Sequence, residues 1–199
     1  MDSSAVPQPA KVEVGNYAER LHNLENQVSL LKSELEAQRE KKSVSIVCFS
    51  GEWDRLFAAF SIANGALSMG CEVHMFFTFW AVCALRKAGH FKPAGKSFTQ
   101  KLLGRMLPCG AKNVPLSKMN FGGMGKAMLQ KLMKEKGVDN LDDLLAQARE
   151  LGAHFYLCDT SFELFGLNCQ ELVDGEKLER CGVATFLSYA MRSKVSLFI

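Results

Sequence analysis

Apolar and polar positions follow three patterns along the 199 residues. Residues 1–15 are polar, contain two prolines and show no periodicity, which predicts a disordered tail. Over residues 16–42, apolar side chains recur at alternating spacings of four and three, as in a coiled-coil helix. From residue 43 to 199, short apolar runs alternate with amphipathic stretches, which is typical of an α/β domain. The chain is therefore divided into a tail, a coiled-coil helix and one α/β domain.

The coiled-coil segment has a narrow apolar seam with few apolar residues beside it, which favours a partner helix over the helix's own domain. The seam residues are Tyr17, Leu21, Leu24, Val28, Leu31, Leu35 and Gln38. The pairs Arg20–Glu25 and Glu34–Arg39 would match in charge across a parallel interface. We expect a homo-oligomer that associates through residues 17–38 and through the α/β domain. An amphipathic helix packed on its own domain is the alternative.

The domain beyond residue 42 alternates predicted strands with predicted helices, so we expect a parallel sheet with right-handed crossovers. Strands are predicted at 43–50, 71–79, 154–158 and 195–199, and helices within 51–70, 80–87, 139–151 and 182–193. Residues 89–125 are punctuated by glycine and proline, and a loop-rich insertion of this length is usually functional or mobile.

Charge is distributed unevenly along the domain. Residues 86–136 hold twelve Lys or Arg against one acid, Glu135, whereas residues 137–180 hold ten acids against three basic residues. Solvated surfaces account for part of this, but the basic segment could also attract an anionic ligand or an acidic protein. Few aromatic residues interleave with the lysines, which argues against nucleic acid as a partner.

The cysteines and the apolar runs also indicate the cellular compartment of the protein. The seven cysteines are odd in number and form no CxxC pair, so neither a disulfide framework nor a zinc site is expected. No signal-peptide pattern opens the chain. The most apolar run, Val73–Leu85, has 13 residues and is too short to span a bilayer, although peripheral membrane contact stays open. We therefore expect a cytoplasmic protein with no metal and no dissociable cofactor.

One cysteine has the position of a reactive residue. In an open parallel sheet, ligands bind beyond the carboxyl ends of the strands, where Ser50–Gly51, Thr78–Trp80 and Cys158–Asp159 should converge. Cys158 also precedes a predicted helix, whose N-terminus would favour the thiolate. The alternative is a buried small hydrophobic residue, and an inward Asp159 charge would oppose the thiolate. Glu163 and Asp54 are candidate polar neighbours.

The remaining cysteines and the glycine motif give weaker predictions. Cys48, Cys71 and Cys83 lie in apolar runs and are expected in the core, while Cys181 could be buried or reactive. Cys109 or Cys169 could resolve an intermediate on Cys158. The motif "GGMGK" at 122–126 lacks P-loop spacing, and no GxGxxG follows the first strand.

Several segments together resemble one known family over residues 44–199. They are "FSGEWDRLFAAFSIANGALSMGCEVHMFFTFWAVCALRK", "VPLSKMNFGGMG", "ARELGAHFYLC" and "ELVDG…GVATFL…LFI". In this order they resemble the DsrE/DsrF/DsrH-like family, in the branch with "FFTFW" and "KMN.GGMG" signatures. The resemblance implies a flavodoxin-like α/β fold, homo-oligomers, and sulfur transfer through a cysteine persulfide. It also implies partners that are small sulfur carriers of the TusA type or rhodanese-like domains.

The family's functional cysteine matches Cys158. The branch commonly reads "C.MSMD" there, whereas this chain reads "CDTSFE", with Glu163 in place of the aspartate. We therefore expect a sulfur-transfer protein that carries sulfane sulfur on Cys158, with segment 86–126 docking an acidic carrier or an anionic donor. Strand-end position and resemblance give the lining residues Ser50, Gly51, Asp54, Lys118, Asn120 and Ser161. The alternatives are a flavodoxin-like module that binds a nucleotide or flavin, and a coiled-coil interaction protein with an inert domain.

Overall fold

The computed structural model describes residues 12–40, 42–87, 97–173, 175 and 178–199. The chain divides into two units, Met1–Lys41 and Lys42–Ile199. In the first unit, α1 (Val12–Glu40) is one continuous helix, so residues 12–15 are helical rather than part of a tail. Residues 1–11 lie outside the described residues, so the predicted disorder there stays a prediction.

The predicted seam lies on this helix. Its side chains from Tyr17 to Leu35 are between 49% and 62% exposed in the single chain. The side chain of Gln38 is outside the described part. Large apolar side chains at this exposure leave a stripe that a partner could cover.

The second unit is built on a five-stranded parallel sheet, which confirms the predicted fold class. Its strands are β1 (Ser43–Cys48), β2 (Glu72–Phe77), β3 (His154–Cys158), β4 (Glu179–Cys181) and β5 (Val195–Phe198). The strand order is β4-β3-β2-β1-β5, with every neighbouring pair parallel. Strand β4 was not predicted, because only Cys181 of its three residues is buried and no apolar run marks it.

Helices cover both faces of the sheet. One face packs against α2 (Trp53–Ser68) and α5 (Leu141–Glu150) and forms the larger of two hydrophobic cores. The Asn64 side chain of α2 donates a hydrogen bond to Leu144 O of α5 at 3.0 Å. The other face packs Phe76, Tyr156 and Cys158 against Phe186 of α7 (Val183–Ala190). Cys158 therefore faces the smaller core, under α7.

The connections differ in detail from the prediction. The helix predicted after β2 is a 3₁₀ helix at Phe79–Leu85, with Ala81–Leu85 buried. The loop-rich region contains α3 (Phe98–Met106), which was not predicted, and α4 (Met124–Glu135) begins at its end. Within the described ranges, no helix is both long enough and apolar enough to cross a membrane.

Candidate functional site

Cys158 lies at the junction of a strand and a helix. It is the last residue of β3 and the N-cap residue of α6 (Asp159–Leu164). Its side chain is only 8% exposed, in the cluster with Phe76, Tyr156 and Phe186. Position alone therefore fits both a structural and a reactive cysteine, and the polar groups around the sulfur decide between them.

Hydrogen-bond donors converge on the Cys158 sulfur. Burial raises the pKa of this thiol, but the hydroxyls of Thr78 and Ser161 and the backbone N–H groups of Ser161 and Thr160 together lower it below that of an ordinary thiol. Donors that point at a sulfur stabilise its anionic form. The thiolate is the nucleophilic form of a cysteine, so this environment favours the form that reacts.

The Ser161 hydroxyl is itself held in place. The backbone N–H of Phe79 donates to Ser161 Oγ at 2.8 Å, and Thr78 Oγ1 lies 3.1 Å from the same oxygen. Ser161 is 1% exposed, so water does not compete for this hydroxyl. Because Ser161 Oγ accepts from Phe79, its own proton is available for the sulfur or for Thr78.

The Phe79 backbone is strained where it makes this contact. Its φ is 45°, in the left-handed region that bulky residues rarely adopt. Strain of this kind persists where the surrounding structure fixes it, and it is concentrated at functional sites. Here it accompanies the hydrogen bond that orients Ser161.

The acidic neighbour of Cys158 is paired with a cation. Arg180 donates to Asp159 Oδ1 from Nε at 2.9 Å and from a terminal nitrogen at 2.8 Å. The Arg180 guanidinium also lies 4.1 Å from the centre of the Phe162 ring. Glu163 is exposed, with a carboxylate oxygen 3.8 Å from Arg180. The sequence analysis noted that the charge of Asp159 would oppose the thiolate if it pointed inward. Arg180 offsets that charge.

Of the predicted lining residues, Ser161 is the one in contact with Cys158. Ser50 instead donates to Glu52 at 3.0 Å. Ser50 and Gly51 line a separate cleft of about 380 Å³ together with Trp80 and Pro115, and Cys158 is not among the lining residues of that cleft. Gly51 passes so close to Trp80 that a Cβ there would be 2.6 Å from Trp80 O.

The other three predicted residues lie in the segment after Pro115 or contact it. The Asp54 carboxylate accepts hydrogen bonds from the Ser117 backbone N–H at 2.9 Å and from its hydroxyl. Lys118 is exposed. The Asn120 side-chain oxygen is buried without a hydrogen-bond partner among the described residues. Asp54 thus anchors this segment, and its contacts are with Ser117 rather than with the thiol.

The sequence analysis brought Thr78 to the rim with Cys158 but did not name it as a lining residue. It placed neither Arg180 nor Cys181 beside Cys158. Arg180 and Cys181 belong to β4, which has no apolar signature. The structure does not place the two suggested resolving cysteines against Cys158: Cys109 is close to Cys83, and Cys169 packs on the larger core.

An aromatic rim borders the site, formed by Phe49, Phe79 and Phe198. The ring centre of Phe49 is 5.4 Å from that of Phe79 and 5.7 Å from that of Phe198. The three residues are between 36% and 71% exposed. Phe79 links the rim to the site, because its backbone N–H holds Ser161. Exposed apolar clusters of this kind are typical of interaction surfaces.

The structure is therefore that of an α/β protein with a buried cysteine at the carboxyl edge of its parallel sheet, where hydrogen bonds lower the pKa of the thiol. A family model covers residues 40–198, and the chain belongs to that family, the DsrE/DsrF/DrsH-like family.

Two relatives match this chain over nearly their own full length. The uncharacterized protein YrkE of Bacillus subtilis (strain 168) is 42% identical over 160 residues, covering 80% of this chain and 98% of YrkE. Sulfur carrier protein DsrE2 of Allochromatium vinosum is 29% identical over 166 residues, covering 80% of this chain and 99% of DsrE2. The crystal structure of the ychN protein from E. coli aligns at 13% identity with a TM-score of 0.47, covering 80% of this chain and 99% of that chain.

Proposed function

We propose that this protein transfers sulfane sulfur, carrying it as a persulfide on Cys158. The observation that carries the proposal is the convergence of two hydroxyls and two backbone N–H groups on the Cys158 sulfur, which favours the thiolate. Family membership supports it, as does the relative named a sulfur carrier protein. The altered "CDTSFE" motif keeps both the cysteine and the Ser161 hydroxyl that contacts it.

The chemistry needs only the thiolate and two sulfur compounds. The Cys158 thiolate attacks a sulfane sulfur of thiosulfate or a polysulfide, and a new S–S bond forms while the donor's S–S bond breaks. Sulfite or a shortened polysulfide leaves with the electron pair. An acceptor thiolate then attacks the outer sulfur of the persulfide, and Cys158 leaves as a thiolate. Hydrogen bonds that favour the thiolate favour it both as nucleophile and as leaving group.

The proposed partners are small sulfur carriers of the TusA type or rhodanese-like domains. Two features of the described surface support a protein partner: the aromatic rim, which Phe79 connects to Ser161, and exposed lysines such as Lys101, Lys112 and Lys118 in the basic segment. Apolar contact would give affinity, and the basic residues would attract an acidic carrier or an anionic donor.

We also propose that the chain self-associates through the seam of α1. Six of the seam's apolar side chains, from Tyr17 to Leu35, are exposed in the single chain at coiled-coil spacing. A parallel partner helix would bury this stripe. The association would bring several Cys158 sites into one assembly.

Intact-protein mass spectrometry after incubation with thiosulfate or polysulfide tests the sulfur proposal. We expect the wild type to gain the mass of one sulfur atom and to lose it on reduction. The Cys158→Ser variant should gain nothing, whereas Cys109→Ser, which removes a half-buried thiol elsewhere, should load normally. Equal loading of the wild type and Cys158→Ser would overturn the proposal and favour a flavodoxin-like binding module.

A further inference from the structure

A second cysteine lies beside Cys158. Cys158 and Cys181 are Cα partners at the ends of the neighbouring parallel strands β3 and β4. Adjacent strands are about 4.8 Å apart, and disulfide-bonded cysteines have Cα atoms about 4.4–6.8 Å apart. Register partners on parallel strands project to the same face of the sheet. Both side chains are in the cluster with Phe76, Tyr156 and Phe186.

The two thiols differ in ionisation. Burial, together with the charges of Glu179, Asp159 and Cys158, raises the pKa of Cys181 to about 11. Donors lower the pKa of Cys158. At neutral pH the pair therefore consists of one thiolate-favouring cysteine and one protonated cysteine at its side.

We propose that Cys181 is the resolving thiol of this site and releases the sulfur carried on Cys158 as sulfide. The inference rests on the proposed function, because it starts from the Cys158 persulfide. The Cys181 sulfur attacks the inner sulfur of the persulfide, the S–S bond to the outer sulfur breaks, and hydrosulfide leaves. The Cys181 proton goes to the departing sulfur. The outer sulfur gains two electrons, and the two cysteine sulfurs lose two as they form a disulfide.

The reaction needs no oxidant, and a thiol reductant resets the site. Two molecules of a low-molecular-weight thiol reduce the Cys158–Cys181 disulfide and leave as their own disulfide. Forming the bond requires the two Cβ atoms to come within about 3.5–4.5 Å of each other. Strand β4 is a three-residue strand at the edge of the sheet and pairs with β3.

Two outlets for the carried sulfur then follow. Cys181 is held protonated, so its attack is slow and a docked acceptor thiol takes the sulfur first. Without an acceptor, the persulfide is cleared as sulfide instead of persisting. The cysteines suggested from sequence have other surroundings: Cys169 packs on the larger core and Cys109 lies near Cys83.

The test follows the fate of sulfur loaded with polysulfide on the full-length wild type, Cys181→Ser, Cys181→Ala and Cys169→Ser. After excess polysulfide is removed, released sulfide and intact mass are measured over time without any acceptor. We expect the wild type and Cys169→Ser to lose the added sulfur, release one sulfide per chain, and end two hydrogens lighter than the reduced protein. Peptide mapping should then join Cys158 to Cys181. Both Cys181 variants should keep the added sulfur and release no sulfide.

Retention of the sulfur by the wild type for as long as by the Cys181 variants would overturn this inference and leave the persulfide proposal standing. Failure of every protein to load would instead contradict the proposed function. Oxidation of the unloaded wild type with diamide gives a check that needs no variant. A Cys158–Cys181 peptide supports the inference, and a disulfide of Cys158 to any other cysteine counts against it.

Discussion

The side-chain oxygens of Thr78 and Ser161 lie 3.1 Å apart, joining the ends of two neighbouring strands beside Cys158. Both hydroxyls lower the pKa of the Cys158 thiol. Replacing Ser161 with alanine, or Thr78 with the similarly shaped valine, should therefore raise that pKa. A hydrogen bond to a charged group contributes about 1.5–3 kcal/mol, so the thiolate fraction at neutral pH should fall about tenfold or more.

The rate of iodoacetamide labelling of Cys158, followed by peptide mass spectrometry across pH, measures this effect. The labelling midpoint should move to higher pH in Ser161→Ala and Thr78→Val. Thr160→Ala is the matched control, because Thr160 contributes its backbone N–H and its side chain is exposed. A midpoint that shifts equally in the control would show that general loosening of α6, rather than the lost hydroxyl, is responsible.

The wild type should show two separated labelling transitions on the α7 face of the sheet. Cys158 has a pKa below that of an ordinary thiol, so its labelling should rise at a lower pH than that of Cys181. Cys181 has a pKa of about 11, so its labelling should rise only in strongly alkaline solution. In Cys158→Ser, the negative charge beside Cys181 is lost, and Cys181 should label at somewhat lower pH. Simultaneous labelling of both thiols at neutral pH would contradict the arrangement.

Sequence patterns predicted the elements that have strong periodicity. An apolar run predicted the strand that ends at Cys158, and capping residues predicted the helix that begins near Asn140. The structure has both elements there. The parallel topology alone predicted that the carboxyl ends of the strands meet at one edge of the sheet. Ser161 lies beside Cys158 in the structure, as its separation of only three residues along the chain allows.

Contacts between distant segments could not be predicted in the same way. Whether Asp54 faces the thiol or Ser117 depends on the path of the segment after Pro115, which contains no periodic signal. Arg180 and Cys181 lie on a strand whose alternation is too short to detect. Strand register, which aligns Cys181 with Cys158, is a property of the assembled sheet rather than of either segment.

Arg180 should matter to the site through Asp159. Arg180→Gln leaves the Asp159 carboxylate without its 2.8 Å partner, and an unpaired negative charge on the residue that follows Cys158 should raise the pKa of the thiol. Because partly exposed ion pairs contribute about 0.2–1 kcal/mol, we expect a smaller rise than in Ser161→Ala. The same labelling assay measures it. Arg192→Gln, which removes one positive charge from an exposed position next to Tyr189, should leave the midpoint of Cys158 unchanged.

The seam of α1 can be tested with a pair of adjacent leucines. Leu31 lies in the seam and Leu30 outside it, although the two are almost equally exposed, at 62% and 60%. A buried charge at a seam position destabilises a coiled coil, whereas the same charge on its outer surface does not. Light scattering should therefore show a smaller molar mass for Leu31→Lys and an unchanged mass for Leu30→Lys. Equal masses for both variants and the wild type would exclude this seam as the interface.

Gly51 was predicted to line the site, but its surroundings point to packing. A Cβ at residue 51 would lie 2.6 Å from Trp80 O and 2.9 Å from the Trp80 Cβ, and neither atom can move without shifting the backbone after β2. Gly51→Ala should lower the free energy of unfolding by about 1–3 kcal/mol, the usual cost of overpacking. Gly65→Ala in α2 is the matched control, since a Cβ there meets no atom within 4 Å and should stabilise the helix by about 1 kcal/mol. Urea denaturation measures both changes, and polysulfide loading separates the two roles of Gly51. A Gly51→Ala variant with unchanged stability that no longer loads sulfur would return this residue to the site.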